Sequence, residues 1–274
     1  MAINWTDAKG AQITVGGHSL EYACWGPAPH KAPTLVLLHE GLGSVAQWKD
    51  VPAQLAERTG FGVFAYSRAG YGWSDPATLP RPLDFQTREA EGVLGAVLDV
   101  AGIEHCVLMG HSDGATIAAI YAGSVSDMRV RGLILIAPHF FTEASGLAAI
   151  RAAAESFETG DLKQRLSKYH ADVDNAFRGW HDTWTDPAFA KWNVGDAIDH
   201  WRIPVLAIQG QQDVYGSLAQ IQEIEERIYS PLDTLILEDC GHAPHLEKPQ
   251  ETLAEIAEFC GRLRRLEEDE VKIG

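Results

Sequence analysis

Cysteine is scarce in this chain of 274 residues, and its four copies, Cys24, Cys106, Cys240 and Cys260, lie far apart. That spacing fits neither a paired zinc motif nor the disulfide framework of a small secreted domain. Cys106 and Cys240 sit in or beside apolar runs and are expected as core thiols, which suits a reducing, cytoplasmic compartment. Positive charge is scarce as well. Lys and Arg number 22 against 38 Asp and Glu, a formal net charge of −16. No basic patch is available for nucleic acid or an anionic membrane, so neither is an expected partner. No apolar run reaches the roughly 18 residues that a spanning helix needs. The opening segment, MAINWTDAKG, lacks the basic-then-apolar order of a secretory signal. Internal repeats and low-complexity stretches are missing too.

What remains is ample core material, 46 % hydrophobic against 22 % charged residues. The apolar runs alternate with helical patterns. TLVLLHE (34–40), GVFAYSR (62–68), HCVLMGH (105–111), RGLILIAP (131–138), PVLAIQG (204–210) and DTLILED (233–239) read as short strands buried on both faces. Helical periodicity fills the gaps, in VAQWKDVPAQLAERTG up to Gly60, in 85–102, after Ser112, and from about Pro249 to Arg265. Runs of this kind predict a mostly parallel sheet with helices on both faces, in the α/β class. AQITVGGHSLEYACWG reads as a hairpin turning at Gly16-Gly17 and adds antiparallel strands at one edge. Between about Phe141 and Trp201 no strand is predicted. That stretch is helical and rich in Trp and Phe, and reads as a helical lid insertion (142–201) over a core made of 1–141 and 202–274. The tail LEEDEVKIG is charged and expected to fray.

One junction carries chemistry. In VLMGHSDGATIAAIYAG a strand becomes a helix across Gly110-His111-Ser112-Asp113-Gly114. Ser112 is either a residue of an ordinary tight turn or a nucleophile held out on a strained bend above the N-terminus of a helix. A serine hydroxyl needs a base, and the base needs an orienting carboxylate. Asp213, just past PVLAIQG, and His242, just past DTLILED, fall in loops at the same sheet edge, where ligands bind in open α/β sheets. Glu143, past the preceding strand, is a second candidate for the acid. His139 is expected near the pocket and Trp184 is the insertion residue expected to line it. His245, three residues past His242, has no third ligand to make a metal site, and His111 is expected to pack beneath the turn.

Together, LLHEGLGS (37–44), YSRAGYGWSD (66–75), GHSDG and GHAPHLEKPQ (241–250) resemble the ordered motifs of the α/β-hydrolase fold family, serine-nucleophile branch, across nearly the whole chain. The resemblance implies a Ser112–His242–Asp213 triad and an oxyanion hole from the backbone N–H groups of Gly41 and Asp113. It implies hydrolysis of a carboxylic ester of a small or medium apolar substrate through an acyl-enzyme, with no metal or organic cofactor. A thioesterase, lactonase, amidase or carbon–carbon hydrolase would use the same triad, and a receptor-like binder would keep the fold with little turnover. Two departures stand out. Glu40 precedes Gly41 where the family more often has His-Gly, and Tyr66-Ser67-Arg68 stands where an aspartate is common. A serine at 112 disfavours the dehalogenase and epoxide-hydrolase branches, whose nucleophile is aspartate. The sequence carries no signal of oligomeric state.

Overall fold

The computed structural model describes residues 3–5 and 10–273, and of residues 267–273 the backbone alone. Most of the opening decapeptide, where a secretory signal would begin, therefore lies outside the described residues. An eight-stranded sheet runs through the molecule in the order β1-β2-β4-β3-β5-β6-β7-β8. The hairpin β1 (Ala11–Val15) and β2 (His18–Trp25) is antiparallel and turns at Gly16 and Gly17, both at positive φ. β3 (Thr34–Leu38), β4 (Gly62–Tyr66), β5 (Cys106–His111), β6 (Val130–Ile136), β7 (Val205–Gly210) and β8 (Leu232–Leu237) are parallel. Every residue of β3, β4, β5 and β7 is buried, as continuous apolar runs require when helices cover both faces.

The chain steps from β3 to β4 in one direction, then crosses back over β3 to β5. The loops after β3 and β5 therefore diverge and leave a crevice at their C-terminal ends, the usual ligand position in such sheets.

The two faces of the sheet carry separate cores. One holds α2 (Phe85–Glu89), a π turn at Ala90–Leu94, α3 (Gly95–Ala101) and α4 (Asp113–Ser124). The other holds α1 (Val51–Thr59), the short α9 (Pro244–Glu247) and α10 (Pro249–Ile273). The predicted helix of 45–60 is broken in two, into a 3₁₀ turn at Val45–Trp48 and α1. Pro52 has no N–H to carry a helix through from its fourth predecessor, and Lys49 turns the chain at φ 54°. The charged tail is helical rather than frayed in its backbone, which continues to Ile273. It contains no Gly or Pro before Gly274, and Leu, Glu and Lys favour a helix.

Between β6 and β7 lie α5 (Ala144–Glu158), α6 (Leu162–Leu166), α7 (Val173–Trp184) and two 3₁₀ turns, Pro187–Lys191 and Gly195–His200. Leu147, Ile150, Phe157, Phe177, Trp180 and Trp184 make a third apolar cluster within this insertion. Its final segment belongs elsewhere. Ile198 and Trp201 are fully buried in the core beside α4, and Trp201 donates its indole N–H to the Ala119 carbonyl at 2.9 Å. The insertion is thus riveted to the sheet at its exit. All four cysteines are free and buried.

Trp201→Ala is expected to destabilise the protein by about 3–5 kcal/mol, the usual cost of emptying a tryptophan site in a packed core. The urea midpoint of unfolding measures it.

Candidate active site

The bend at Ser112 follows from two contacts. A Cβ on Gly114 would lie 1.9 Å from the Leu38 carbonyl oxygen, and one on Gly110 would lie 2.2 Å from the Gly114 carbonyl oxygen. Backbone cannot move aside, so both positions must be glycine for α4 to begin this close to β3. The chain between them is forced through φ 53°, ψ −119° at Ser112, a conformation that side chains avoid. Ser112 is buried but borders a cavity that holds roughly 630 Å³ of free space, its mouth included. That size suits a small molecule.

His242 lines the same cavity, in the loop after β8. Its Nδ1–H donates to Asp213 Oδ2 at 2.7 Å. Asp213 is itself held by the Tyr215 N–H at 2.8 Å on Oδ1 and by Gln209 Nε2 at 2.9 Å on Oδ2. Burial alone would raise the Asp213 carboxyl, but the hydrogen bond and charge of His242 outweigh it and hold Asp213 below the ordinary carboxylate value. With Nδ1 committed, Nε2 is the nitrogen left for chemistry. Among the described residues no hydrogen bond joins the Ser112 hydroxyl to the imidazole. Such bonds are often long in empty sites and tighten around substrate. Glu143 makes no bond to His242. Its Oε1 accepts from the Ser217 N–H at 2.9 Å and Gln220 Nε2 at 2.7 Å, at the start of α8 (Ala219–Arg227).

The loop after β3 is oriented by a residue that the sequence reading passed over. The buried Arg68 guanidinium donates to the carbonyls of His39 at 2.5 Å and Glu40 at 2.9 Å. A trans peptide points its N–H opposite its C=O. Holding the Glu40 carbonyl toward Arg68 therefore turns the Gly41 N–H away from the guanidinium. The Asp113 N–H is likewise turned outward at the start of α4, because the Ser112 carbonyl faces along the helix to accept from Thr116. Neither N–H has a hydrogen-bond partner among the described residues. Gly41 has no room for a side chain, since a Cβ there would be 2.3 Å from the Trp180 indole. Glu21 of β2 brings a carboxylate to the YSRAGYGWSD loop, accepting from Ser67 Oγ at 2.7 Å and the Trp73 N–H at 3.1 Å.

Glu40 points its carboxylate at His111, 3.5 Å from Nδ1, while His111 Nε2 lies 2.7 Å from the His242 carbonyl. Burial would raise the Glu40 carboxyl, but the neighbouring His111 outweighs it and holds Glu40 well below its ordinary value. His139 lies in the cavity wall with its ring 5.8 Å from His242 and 5.6 Å from Trp184. Trp184 lines the cavity and donates its indole N–H to Asp113 Oδ1 at 3.2 Å. Trp180 and Tyr215, not singled out from the sequence, line it too. Trp180 lies one helical turn before Trp184 on α7, so the i, i+4 spacing was the available signal. His245 packs on Trp48 and His111. Among the described residues no group of three or more His, Cys, Asp or Glu is placed to hold a metal ion.

Residues 35–256 match the profile of the "Alpha/beta hydrolase family". The chain is 27 % identical over 257 residues to the pimeloyl-[acyl-carrier protein] methyl ester esterase of Aeromonas hydrophila, covering 84 % of this chain and 96 % of that protein. It is 22 % identical over 254 residues to the sn-1-specific diacylglycerol lipase of Mus musculus, covering 83 % and 80 %. A carboxylesterase structure from Nitrososphaera gargenis superposes with a TM-score of 0.72 at 22 % identity, over 93 % of this chain and 99 % of that one.

Four histidines in and around the site are buried and held neutral. Burial pushes His139 down to about 3 from the ordinary 6.5, and likewise lowers His39, His170 and His245. The unfolded chain protonates these groups near 6.5 and the folded chain does not. Their contribution is therefore complete above pH 6.5 and is lost as the pH falls toward the folded values. A group that stays neutral in the folded chain removes up to about 1.4 kcal/mol of stability per pH unit below 6.5. Urea midpoints are expected to fall steeply between pH 6.5 and pH 5, and an unchanged midpoint would contradict the assignment.

Proposed function

Because the chain belongs to the alpha/beta hydrolase family, we propose that it is a serine hydrolase of carboxylic esters working through an acyl-enzyme. The single observation that supports this best is the His242–Asp213 bond of 2.7 Å at the cavity where Ser112 sits on its strained bend. Substrate enters beneath the insertion, against the apolar walls of Leu42, Leu147, Ile150, Trp180 and Trp184. The Ser112 hydroxyl closes onto His242 Nε2 and attacks the ester carbon as Nε2 takes its proton. Asp213 keeps the imidazole in the tautomer with its proton on Nδ1 and stabilises the cation that forms. The carbonyl oxygen, now an oxyanion, receives the N–H groups of Gly41 and Asp113, each worth about 3–4 kcal/mol by analogy with other oxyanion holes.

Collapse of the tetrahedral species expels the alcohol, which leaves with the proton from His242. A water molecule then gives its proton to His242 and attacks the acyl-Ser112 carbonyl. A second collapse returns the proton to Ser112 and releases the acid. No step calls for a metal or organic cofactor. The partner is a small molecule, and four unpaired thiols suit a reducing, cytoplasmic setting. Among the described residues no helix is long and apolar enough to cross a membrane.

Ser112→Ala is expected to abolish turnover of short activated esters while leaving the fold intact by circular dichroism, and an organophosphorus reagent is expected to label Ser112 in the unaltered protein. Failure of both labelling and acyl release would refute the reading. Asp213→Asn is expected to lower kcat by about 10⁴, as the corresponding change does in a serine protease triad. Glu143→Gln is expected to cost far less, and a reversed order in kcat would show that the acid is Glu143.

A further inference from the structure

The cavity beside Ser112 is lined by three carboxylates, Glu40, Asp113 and Glu143, and by no Lys or Arg. Two of the three have work within the protein. Glu40 faces His111, and Glu143 anchors the start of α8. Asp113 differs. It is 1 % exposed, and its Oδ1 accepts from Gln86 Nε2 at 3.0 Å and Trp184 Nε1 at 3.2 Å. Those two donors fix the plane of the carboxyl group. The other oxygen, Oδ2, is buried and has no hydrogen-bond partner. It lies against the loop after β3, 3.2 Å from where a Gly41 Cβ would be. A fixed, buried acceptor without a donor is costly to a fold, and on a residue that lines a cavity it is a place for a ligand's donor.

We propose that Asp113 Oδ2 receives a protonated amine carried on the acyl part of the substrate, close to the scissile carbonyl. This rests on the ester-hydrolase reading for its acyl group, and it narrows the substrate class to amino-acyl esters. The placement follows from Asp113 itself, whose backbone N–H is assigned to the oxyanion while its side chain reaches the same loop. A hydroxyl would satisfy the hydrogen bond but leave the charge unmatched. An ammonium group satisfies both. Burial pushes the Asp113 carboxyl up, and Arg68 and Arg81 oppose this from a distance without forming an ion pair with it. A cation at Oδ2 would favour the ionised form directly. An anionic acyl chain, by contrast, would enter a cavity with no cation to receive it.

The test compares L-valine benzyl ester with benzyl 2,3-dimethylbutanoate, in which a methyl group replaces the ammonium, at about pH 6.5, below the ordinary α-amino value. The ratio of kcat/KM is expected to favour the amino ester by roughly tenfold or more, as a buried charge-assisted hydrogen bond would. The ratio is expected to fall toward one in Asp113→Asn. A ratio at or below one in the unaltered protein overturns the proposal. Calorimetric binding of the same two esters to Ser112→Ala reads the preference without turnover and without touching Asp113. Roughly tenfold tighter binding of the amino ester supports the site, and equal affinity overturns it. Should neither ester be hydrolysed while that binding preference holds, the ester-hydrolase reading fails and the amine site stands.

Discussion

Everything at the cavity depends on how close α4 comes to the end of β3. The Leu38 carbonyl occupies the space that any side chain on residue 114 would need. That contact fixes the first turn of the helix against the strand, strains Ser112, and brings the loop carrying Gly41 to the side chain of Asp113. Had the helix begun an ångström or two farther away, the Asp113 side chain would no longer lie against Gly41. The strain at Ser112 is stored there because backbone on both sides leaves no way to relax it.

Charge is distributed with a matching logic. The cavity wall is acidic, while the buried cation behind it, Arg68, spends its hydrogen bonds on carbonyl oxygens. Turning those carbonyls inward leaves amide N–H groups as the positive ends that point the other way. The Glu40 carboxylate on the loop after β3 lies beside His111, 3.5 Å from its Nδ1. The two departures from the family pattern meet in space, since Arg68 binds the Glu40 carbonyl and the adjacent Ser67 donates to Glu21 of a neighbouring strand.

The strands were legible because each is an apolar run buried on both faces, and their ends fell within about two residues of the predicted ones. The break before α1 was not, because apolar spacing carries across it and Pro52 is the one local sign. The extension of α10 was hidden by reading charge as disorder, whereas helix propensity is indifferent to it. At the site, Ser112, Asp213 and His242 could be named because each follows a recognisable strand. Arg68 could not, since its role depends on carbonyls about thirty positions away in sequence that only the sheet order brings near. The donors to Asp113, Gln86 and Trp184, come from two helices whose approach no local pattern records.

The four unpaired cysteines give the molecule an internal clock. Each lies at or below 3 % exposure, and burial lifts Cys24, Cys106 and Cys260 to about 12 and Cys240 to about 11. A thiol reagent at neutral pH therefore meets neither an accessible sulfur nor a thiolate while the sheet is closed. Alkylation at each cysteine waits on an opening of the structure around it, so the rates of modification at Cys24 and Cys106 report the sheet while those at Cys240 and Cys260 report the loop and helix that carry them.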